Sequence, residues 1–379
     1  MKLSRAITLV TFACSIFALA LFVAPRTSCA ATWKATVGAQ SSDEGIQALA
    51  FLPNELWIHA GDSITWTFPT HEIHTVTFLE QNNIPPNFQQ VRPNRPGAPG
   101  GGCPVPPGPA TTPSGSSFDG STCLTSGDDL FVDGATYSVT FPTAGNFKLV
   151  CLVHNNMTGA VHVLDPKEKL PHKQAFYDDQ AQKRQTELLS DGASLEDQAT
   201  TTEQERHGDH QHKSEMSQGS EDAVTAGTGE IVATGGGSDT VSVMRFLQDS
   251  IFVRVGDTVE WTNLDPVTPH TVTFGFAVEP APPQPPSAGV SVDTDGARHA
   301  VLASPADLHS GFLVAALQDR GPPPPRLAPP EPPPAVAPLP QSPLTVTRFR
   351  VTFTKPGTFN YRCILHDDLG MVGQVIVQR

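Results

Sequence analysis

Two segments of the chain, CLVHNNM and CILHDDLGM, each place a cysteine, a histidine and a methionine in the same order. The six residues are Cys151, His154, Met157, Cys363, His366 and Met371. A thiolate, an imidazole and a thioether are soft or borderline donors, which favour a transition metal with two accessible oxidation states. A short turn after the cysteine allows the sulfur and the next imidazole to point at one ion from a single loop.

The two segments belong to a duplicated unit. FLPNELWIHAGDSITW aligns without a gap with FLQDSIFVRVGDTVEW, and HTVTF occurs identically at His74–Phe78 and His270–Phe274. TFPTAGNFKLVCLVH then aligns with TFTKPGTFNYRCILH. Three blocks in one order predict two homologous domains, which we place at residues 32–165 and 228–379.

The HTVTF blocks supply a second histidine for each site, His74 and His270. His71 competes with His74 in the first unit, but only His74 has a counterpart in the second. A thiolate and two imidazoles in a trigonal arrangement, with a distant thioether, form the electron-transfer copper site. Zinc is a weaker alternative, since structural zinc sites prefer four strong ligands.

Elements that would position these ligands are strands. Apolar residues alternate within the blocks, as in Leu56 and Ile58 or Val351 and Phe353, and Gly-Asp or Pro-Gly pairs punctuate them. Helical periodicity is missing inside the blocks. The sequence therefore predicts an all-β fold with one Greek-key, antiparallel β-sandwich per domain.

These motifs resemble the cupredoxin family of blue copper proteins. The stretch GDTVEW, HTVTF and TFTKPGTFNYRCILHDDLGMVGQVIV is similar to plastocyanin and pseudoazurin, and CLVHNNMTGAVHVL is similar to amicyanin. The resemblance implies type 1 copper at one end of each sandwich, hence two copper ions. By motif, the ligands would be His74, Cys151, His154 and Met157, then His270, Cys363, His366 and Met371. The longer second loop is expected to give that copper a different reduction potential.

Segments outside the blocks differ in composition. A Pro-rich insertion at about residues 83–122 and two Pro-rich tracts in the second domain are expected to be irregular surface loops. Residues 166–227, rich in Gln, Glu, Asp, Lys and Ser, predict a mostly disordered acidic linker. Residues 175–189 could form a short helix, but their apolar positions are too few to demand burial. Its histidine cluster, interpreted as solvated or as a weak metal-capture site, comprises His207, His210, His212 and Met216. With such a linker, we expect the two sites to act independently.

The N-terminus predicts a signal peptide at residues 1–30, since basic residues precede an apolar run and a small-residue cleavage site. We therefore expect an extracytoplasmic protein, whether periplasmic, cell-surface or secreted, with no transmembrane segment in the mature chain. A membrane anchor, or a lipid on Cys29, is the alternative. Cys103 and Cys123 remain once the leader and metal-site cysteines are set aside, and they predict a disulfide.

Function classes can be compared on the same residues. The net charge of −14 argues against a nucleic-acid partner. An electron carrier is favoured over an oxidase or nitrite reductase-like enzyme, because no histidine stands beside either thiolate cysteine and no H-x-H pair lies in the blocks. Copper storage or delivery is a third hypothesis.

A redox protein is the expected partner of a carrier. The family resemblance implies docking near the ligand histidines exposed at the copper end, here His154 and His366. Asp367 and Asp368 beside the second of these suggest a basic partner such as a cytochrome c.

Overall fold

The computed structural model describes residues 30–79, 112–127, 134–154, 156–214, 221–275, 286–314 and 346–379. The predicted signal peptide, most of the Pro-rich segments, Cys103 and Met216 lie outside these residues, so the predictions that concern them stand as made.

Among the described residues, ten strands form the first sandwich. They are β1 (Thr32–Gln40), β2 (Ile46–Leu52), β3 (Glu55–His59), β4 (Ser63–Phe68), β5 (Thr77–Phe78), β6 (Ser116–Ser117), β7 (Leu124–Thr125), β8 (Ala135–Thr140), β9 (Gly145–Val150) and β10 (Thr158–Leu164). One layer has the order β2-β1-β4-β8-β6 and the other β3-β10-β9-β5-β7. Alternate residues of β4 are buried, as a strand with one face on a core requires.

The second sandwich repeats this topology. Its strands are β11 (Glu221–Ala233), β12 (Ser238–Leu247), β13 (Ser250–Arg254), β14 (Thr258–Leu264), β15 (Thr273–Phe274), β16 (Ser291–Val292), β17 (Arg298–Leu302), β18 (Leu308–His309), β19 (Arg348–Phe353), β20 (Gly357–Arg362) and β21 (Val372–Gln378). Its layers have the orders β12-β11-β14-β19-β17-β16 and β13-β21-β20-β15-β18. The prediction of two tandem β-sandwiches is confirmed.

The sheets of both sandwiches contain parallel as well as antiparallel strand pairs, whereas the sequence predicted antiparallel sheets. β1 pairs in parallel with β4, and β10 in parallel with β3; β11 with β14 and β13 with β21 do the same in the second sandwich. The reason is that β3 crosses to the other layer, which leaves β1 and β4 as neighbours that run the same way.

A continuous sheet joins the two sandwiches. β2 pairs antiparallel with β12, from Ile46 opposite Val243 to Leu49 opposite Thr240. Met244, Val267 and Leu369 of the second sandwich belong to the hydrophobic core cluster of the first. The expectation of a flexible tether between the domains is therefore wrong, because backbone hydrogen bonds and shared core residues fix their relative position, and the expectation of independent sites loses the tether on which it rested.

The segment between the sandwiches forms a long helix, α1 (Gln174–Ser214), and not a disordered linker. Ala181, Leu188 and Leu195 recur every seven residues and pack on β2 and β12. Tyr177, which is fully buried, accepts a hydrogen bond at its hydroxyl from the backbone N–H of Trp57 at 3.0 Å. One narrow apolar stripe is enough to hold the helix on the protein, because the stripe packs over the junction of the two sandwiches. None of the described helices is long and apolar enough to cross a membrane.

Candidate metal centres

The first candidate centre lies at one end of the first sandwich. Pairing of β5 with β9 brings His74, just before β5, beside Cys151, just after β9. His154 follows in the loop to β10. The Nδ1 atoms of the two histidines lie 3.2 Å apart, and the Cys151 sulfur is 3.8 Å from Nδ1 of His154. All three side chains are buried.

The second candidate centre repeats this arrangement. Pairing of β15 with β20 places His270 beside Cys363, and His366 lies in the loop to β21. The two Nδ1 atoms are 3.1 Å apart, and the Cys363 sulfur is 3.4 Å from Nδ1 of His366 and 3.9 Å from Nδ1 of His270. In each centre the thiol sulfur and two ring nitrogens all lie within 4.8 Å of one another.

The methionines close both loops. The backbone N–H of Cys151 donates to the carbonyl of Met157, and that of Cys363 donates to the carbonyl of Met371, each at 3.0 Å. Both methionine side chains are fully buried in the same core clusters as the cysteines. The unequal loops therefore begin and end with the same geometry, and the two extra residues of the second loop are accommodated between His366 and Met371.

Threonines of the HTVTF blocks hold the cysteine loops, a role that sequence reasoning missed. The backbone N–H of Thr75 donates to the Cys151 sulfur at 3.5 Å, and its hydroxyl accepts from the N–H of Leu152 at 2.8 Å. Thr271 makes the equivalent contacts, with the Cys363 sulfur at 3.4 Å and Ile364 N–H at 3.0 Å. The sequence did contain a signal for this role, because the threonine after the histidine is identical in the two HTVTF blocks.

Two glycines, also missed, leave room for the ring of each HTVTF histidine. Gly38 and Gly227 lie at the bulges in β1 and β11, with φ of 77° and 81°. A Cβ at Gly38 would lie 2.6 Å from Nε2 of His74, and one at Gly227 would lie 2.2 Å from Nε2 of His270. A side chain at either position would displace the imidazole.

Charge in the first centre favours cation binding. Burial opposes ionisation of Cys151, but His154 and His74 outweigh it and hold the thiol pKa well below its usual value. Burial likewise opposes the charged form of His154, but Cys151 and Glu72 raise its pKa to about 10. Both shifts favour the charged forms of the two groups, and the thiolate is the form of cysteine that binds a metal ion.

The second centre is similar. Burial again raises the pKa of Cys363, but His366 and His270 hold it well below the usual value. The pKa of His270 rises to about 9, because Asp265 and Cys363 outweigh the opposing effect of burial. The Asp265 carboxylate lies 3.7 Å from Nε2 of His270. Counted from HTVTF the first unit has Pro69 at this position, and counted from the aligned tryptophans it has Thr70, so this carboxylate is particular to the second centre.

The two centres approach each other at the junction of the sandwiches. His154 and His366 are only 2% and 3% exposed, and the Glu72 carboxylate lies between their rings, 3.1 Å from Nε2 of His154 and 3.8 Å from Nε2 of His366. The expectation that these two histidines are exposed for partner docking is therefore wrong. Asp367 is paired with Arg362 and is not a free acidic docking residue.

Other predicted residues lie away from the centres. His71 is exposed and lies 3.4 Å from the Glu44 carboxylate, through its Nδ1. His207, His210 and His212 lie in the C-terminal part of α1. Cys123 is disulfide-bonded; its proposed partner Cys103 is outside the described residues, so that pairing stays a prediction. Cys151 and Cys363 are free thiols.

The donor set fits copper. Each centre offers one thiolate and two imidazole nitrogens, with a buried thioether at the end of the same loop. Such donors bind both oxidation states of copper, whereas a structural zinc site would need a fourth strong ligand.

Comparison with known proteins agrees with this donor set. Residues 38–164 match the family model of copper binding proteins, plastocyanin/azurin family. No curated protein matches the chain. Similar solved structures include a mutant fern plastocyanin (20% identity, 41% of this chain and 99% of that one, TM-score 0.20). Another is the Cu(I) form of an amicyanin mutant, at 18% identity over 42% of this chain and 82% of that one, with a TM-score of 0.21. A third is a purple cupredoxin from Nitrosopumilus maritimus, at 17% identity over 35% of this chain and 99% of that one, with a TM-score of 0.20.

The strand order and the buried His–Cys–His group define the class, a copper-binding β-sandwich. The first sandwich matches the plastocyanin/azurin family of copper binding proteins over residues 38–164, and the second sandwich repeats its His–Cys–His group. The structural likenesses, at these identities and TM-scores, add nothing to that assignment.

Proposed function

We propose that the chain is an extracytoplasmic electron carrier with one type 1 copper in each sandwich. The proposed ligands are His74, Cys151, His154 and Met157 in the first, and His270, Cys363, His366 and Met371 in the second. The observation that carries this proposal is the occurrence of two buried His–Cys–His groups at equivalent positions of a repeated fold.

Bound copper would supply one-electron chemistry between Cu(II) and Cu(I). The chain's own part is to keep the donors nearly fixed in both states. Cys151 is held by N–H groups of Thr75 and His154, which donate to its sulfur at 3.5 and 3.4 Å. These bonds limit movement of the thiolate, and burial excludes water that would otherwise reorganise around the changing charge.

A redox protein is the proposed partner. A basic cytochrome c is one candidate, which the net charge of −14 supports. Because the rings of His154 and His366 are covered at the junction, a partner in this arrangement would contact a surface other than those two ring edges.

The full chain loaded with copper tests the proposal. We expect two copper ions per chain and an intense blue colour that ascorbate bleaches reversibly. Cys151→Ser and Cys363→Ser should each remove one ion and part of the absorption. His71→Ala, which changes an exposed histidine outside the centres, should retain both ions.

Three outcomes would contradict the carrier proposal. A colourless copper complex, or a blue one that ascorbate does not reduce, would favour storage or delivery. Catalytic consumption of oxygen or nitrite would favour the enzyme. Preferential retention of zinc from an equimolar mixture would argue against a redox role altogether.

A further inference from the structure

Glu72 lies between the two candidate centres. Its carboxylate is 7% exposed and belongs to the loop before β5 in the first sandwich. One oxygen lies 3.1 Å from Nε2 of His154, in the same sandwich, and the other lies 3.8 Å from Nε2 of His366, in the second. A single carboxylate therefore contacts the outer ring nitrogen of one proposed ligand from each centre.

The ring orientation makes this contact relevant to both metals. In each histidine pair the Nδ1 atoms converge, at 3.2 Å in the first centre and 3.1 Å in the second, so the Nε2 atoms point away from the centres. A ligand imidazole bound through Nδ1 keeps its proton on Nε2. A carboxylate that accepts from that N–H fixes the ring and increases its donor strength.

The repeat does not account for Glu72. The residue two positions before His74 is Glu72, whereas the residue two positions before His270 is Thr268. Thr268 is buried within its own sandwich, where its N–H donates to the Asp265 carboxylate at 2.9 Å. The first sandwich thus provides a carboxylate to the second centre, and the second sandwich provides none in return at this position.

We propose that Glu72 is a positioning residue that couples the two centres, so that an electron passes between them through the His154–Glu72–His366 contact. This inference rests on the proposed function. In the exchange the copper held by one His–Cys–His group would be oxidised from Cu(I) to Cu(II) and the copper held by the other would be reduced, with no bond made or broken and no external reactant. The chain would then act as one unit that distributes electrons internally.

Single-centre variants provide the first test. In the Cys363→Ser background only the first centre should hold copper, and in the Cys151→Ser background only the second should. Glu72→Gln should raise both reduction potentials, since removal of a buried negative charge favours Cu(I). We expect at least a tenfold change in the reduction equilibrium of the first centre, about 59 mV for one electron, and a smaller change in the second.

The matched control is Glu55→Gln. Glu55 also pairs a carboxylate with an imidazole, at 3.0 Å from Nε2 of His162, but His162 is not in either centre. Glu55→Gln should leave both potentials unchanged. An unchanged second-centre potential in Glu72→Gln would overturn the proposal, because a purely structural role within the first sandwich predicts that result.

Two further measurements use the fully loaded chain. With both coppers as Cu(II), the electron paramagnetic resonance spectrum should show dipolar broadening absent from the sum of the two single-centre spectra. This comparison does not require the Glu72 variant to fold. After partial reduction by a radiolysis pulse, we expect a relaxation whose rate is independent of protein concentration and falls at least tenfold in Glu72→Gln.

The failures can be separated. A chain that binds no blue copper contradicts the proposed function itself. Two blue, reducible centres whose spectra are strictly additive, or whose exchange rate is proportional to protein concentration, leave the carrier function in place and contradict the coupling through Glu72.

Discussion

Gly38 lies directly against the imidazole of His74, so close that a Cβ there would be 2.6 Å from Nε2. Its φ of 77° is also a conformation that residues other than glycine rarely adopt. We expect Gly38→Ala to destabilise the chain by about 2–4 kcal/mol, from strain and collision together, and to lower copper retention in the first centre. Thermal unfolding and copper analysis would measure both effects.

Gly61 provides the control for strain alone. It has a φ of 97°, but a Cβ there would meet nothing within 4 Å. Gly61→Ala should cost about 1 kcal/mol and leave both coppers bound. Equal copper loss in Gly38→Ala and Gly61→Ala would contradict a specific role for Gly38.

Asp265 should lower the reduction potential of the second centre. Its carboxylate lies 3.7 Å from Nε2 of His270, an ion-pair distance at which neither atom has a hydrogen-bond partner among the described residues, so the carboxylate acts on the ring through its charge. In the Cys151→Ser background, Asp265→Asn should favour Cu(I) by about tenfold, or about 59 mV by voltammetry. Asparagine keeps the oxygen that accepts from the N–H groups of Val267 and Thr268, so the turn should persist.

The first centre is the internal control for that prediction. In the Cys363→Ser background, Asp265→Asn should leave the potential of the first centre where it was. A similar shift in both backgrounds would indicate a general change in structure and would contradict the local electrostatic explanation.

Gly192 should be required where α1 approaches the sheet. A Cβ there would lie 2.3 Å from Cγ2 of Ile46 in β2 and 2.8 Å from Cγ2 of Val241 in β12. Alanine is ordinarily the better helix former by about 1 kcal/mol, yet we expect Gly192→Ala to destabilise by about 1–3 kcal/mol. Exposed Ser190→Ala is the control and should be neutral or slightly stabilising in denaturant unfolding.

Arg184 and Asp239 predict a pH dependence of stability. Nε of Arg184, in α1, donates at 2.8 Å to the buried Asp239 carboxylate of β12. Burial raises the pKa of Asp239 above its usual value, although Arg184 and Asn54 oppose the increase. A carboxyl whose pKa is raised by folding stabilises the fold when protonated, and that contribution is lost as the pH rises through the folded-state pKa.

Arg184→Met removes one of the two opposing partners and should raise that pKa further. We expect a loss of about 3 kcal/mol at neutral pH, which becomes smaller as the pH is lowered and Asp239 is protonated. Unfolding measured at several pH values would show this. A penalty that stays constant with pH would mean that Arg184 acts through packing, and Arg184→Met combined with Asp239→Asn should recover part of the loss.

The repeat was sufficient to predict the strands and the residues that converge, because each block occurs twice with the same polar positions. His74 and His270 could be chosen because HTVTF is identical in both units. The helix could not be predicted in the same way. Its buried side chains, such as Tyr177 and Leu188, are few in a polar sequence, and their burial depends on a surface formed only when β2 and β12 pair.

Glu72 was missed for the opposite reason. Comparison of the repeats emphasises what the units share, and Glu72 aligns with Thr268. Its importance follows from contact with His366, which is distant in the chain and could be recognised only once the two sandwiches were placed together. An acidic residue two positions from a candidate ligand, present in one copy alone, was nevertheless a visible signal.

The pairing of β2 with β12 also protects the chain from self-association. Each is the outermost strand of its own layer, and an uncovered strand of this kind offers free backbone amides and carbonyls to any other polypeptide. Fusion of two copies in one chain satisfies both rows of groups internally. Either half alone would present an unpaired edge strand prone to aggregation. In β2 this strand consists entirely of residues that are buried in the full chain, from Ile46 to Leu52.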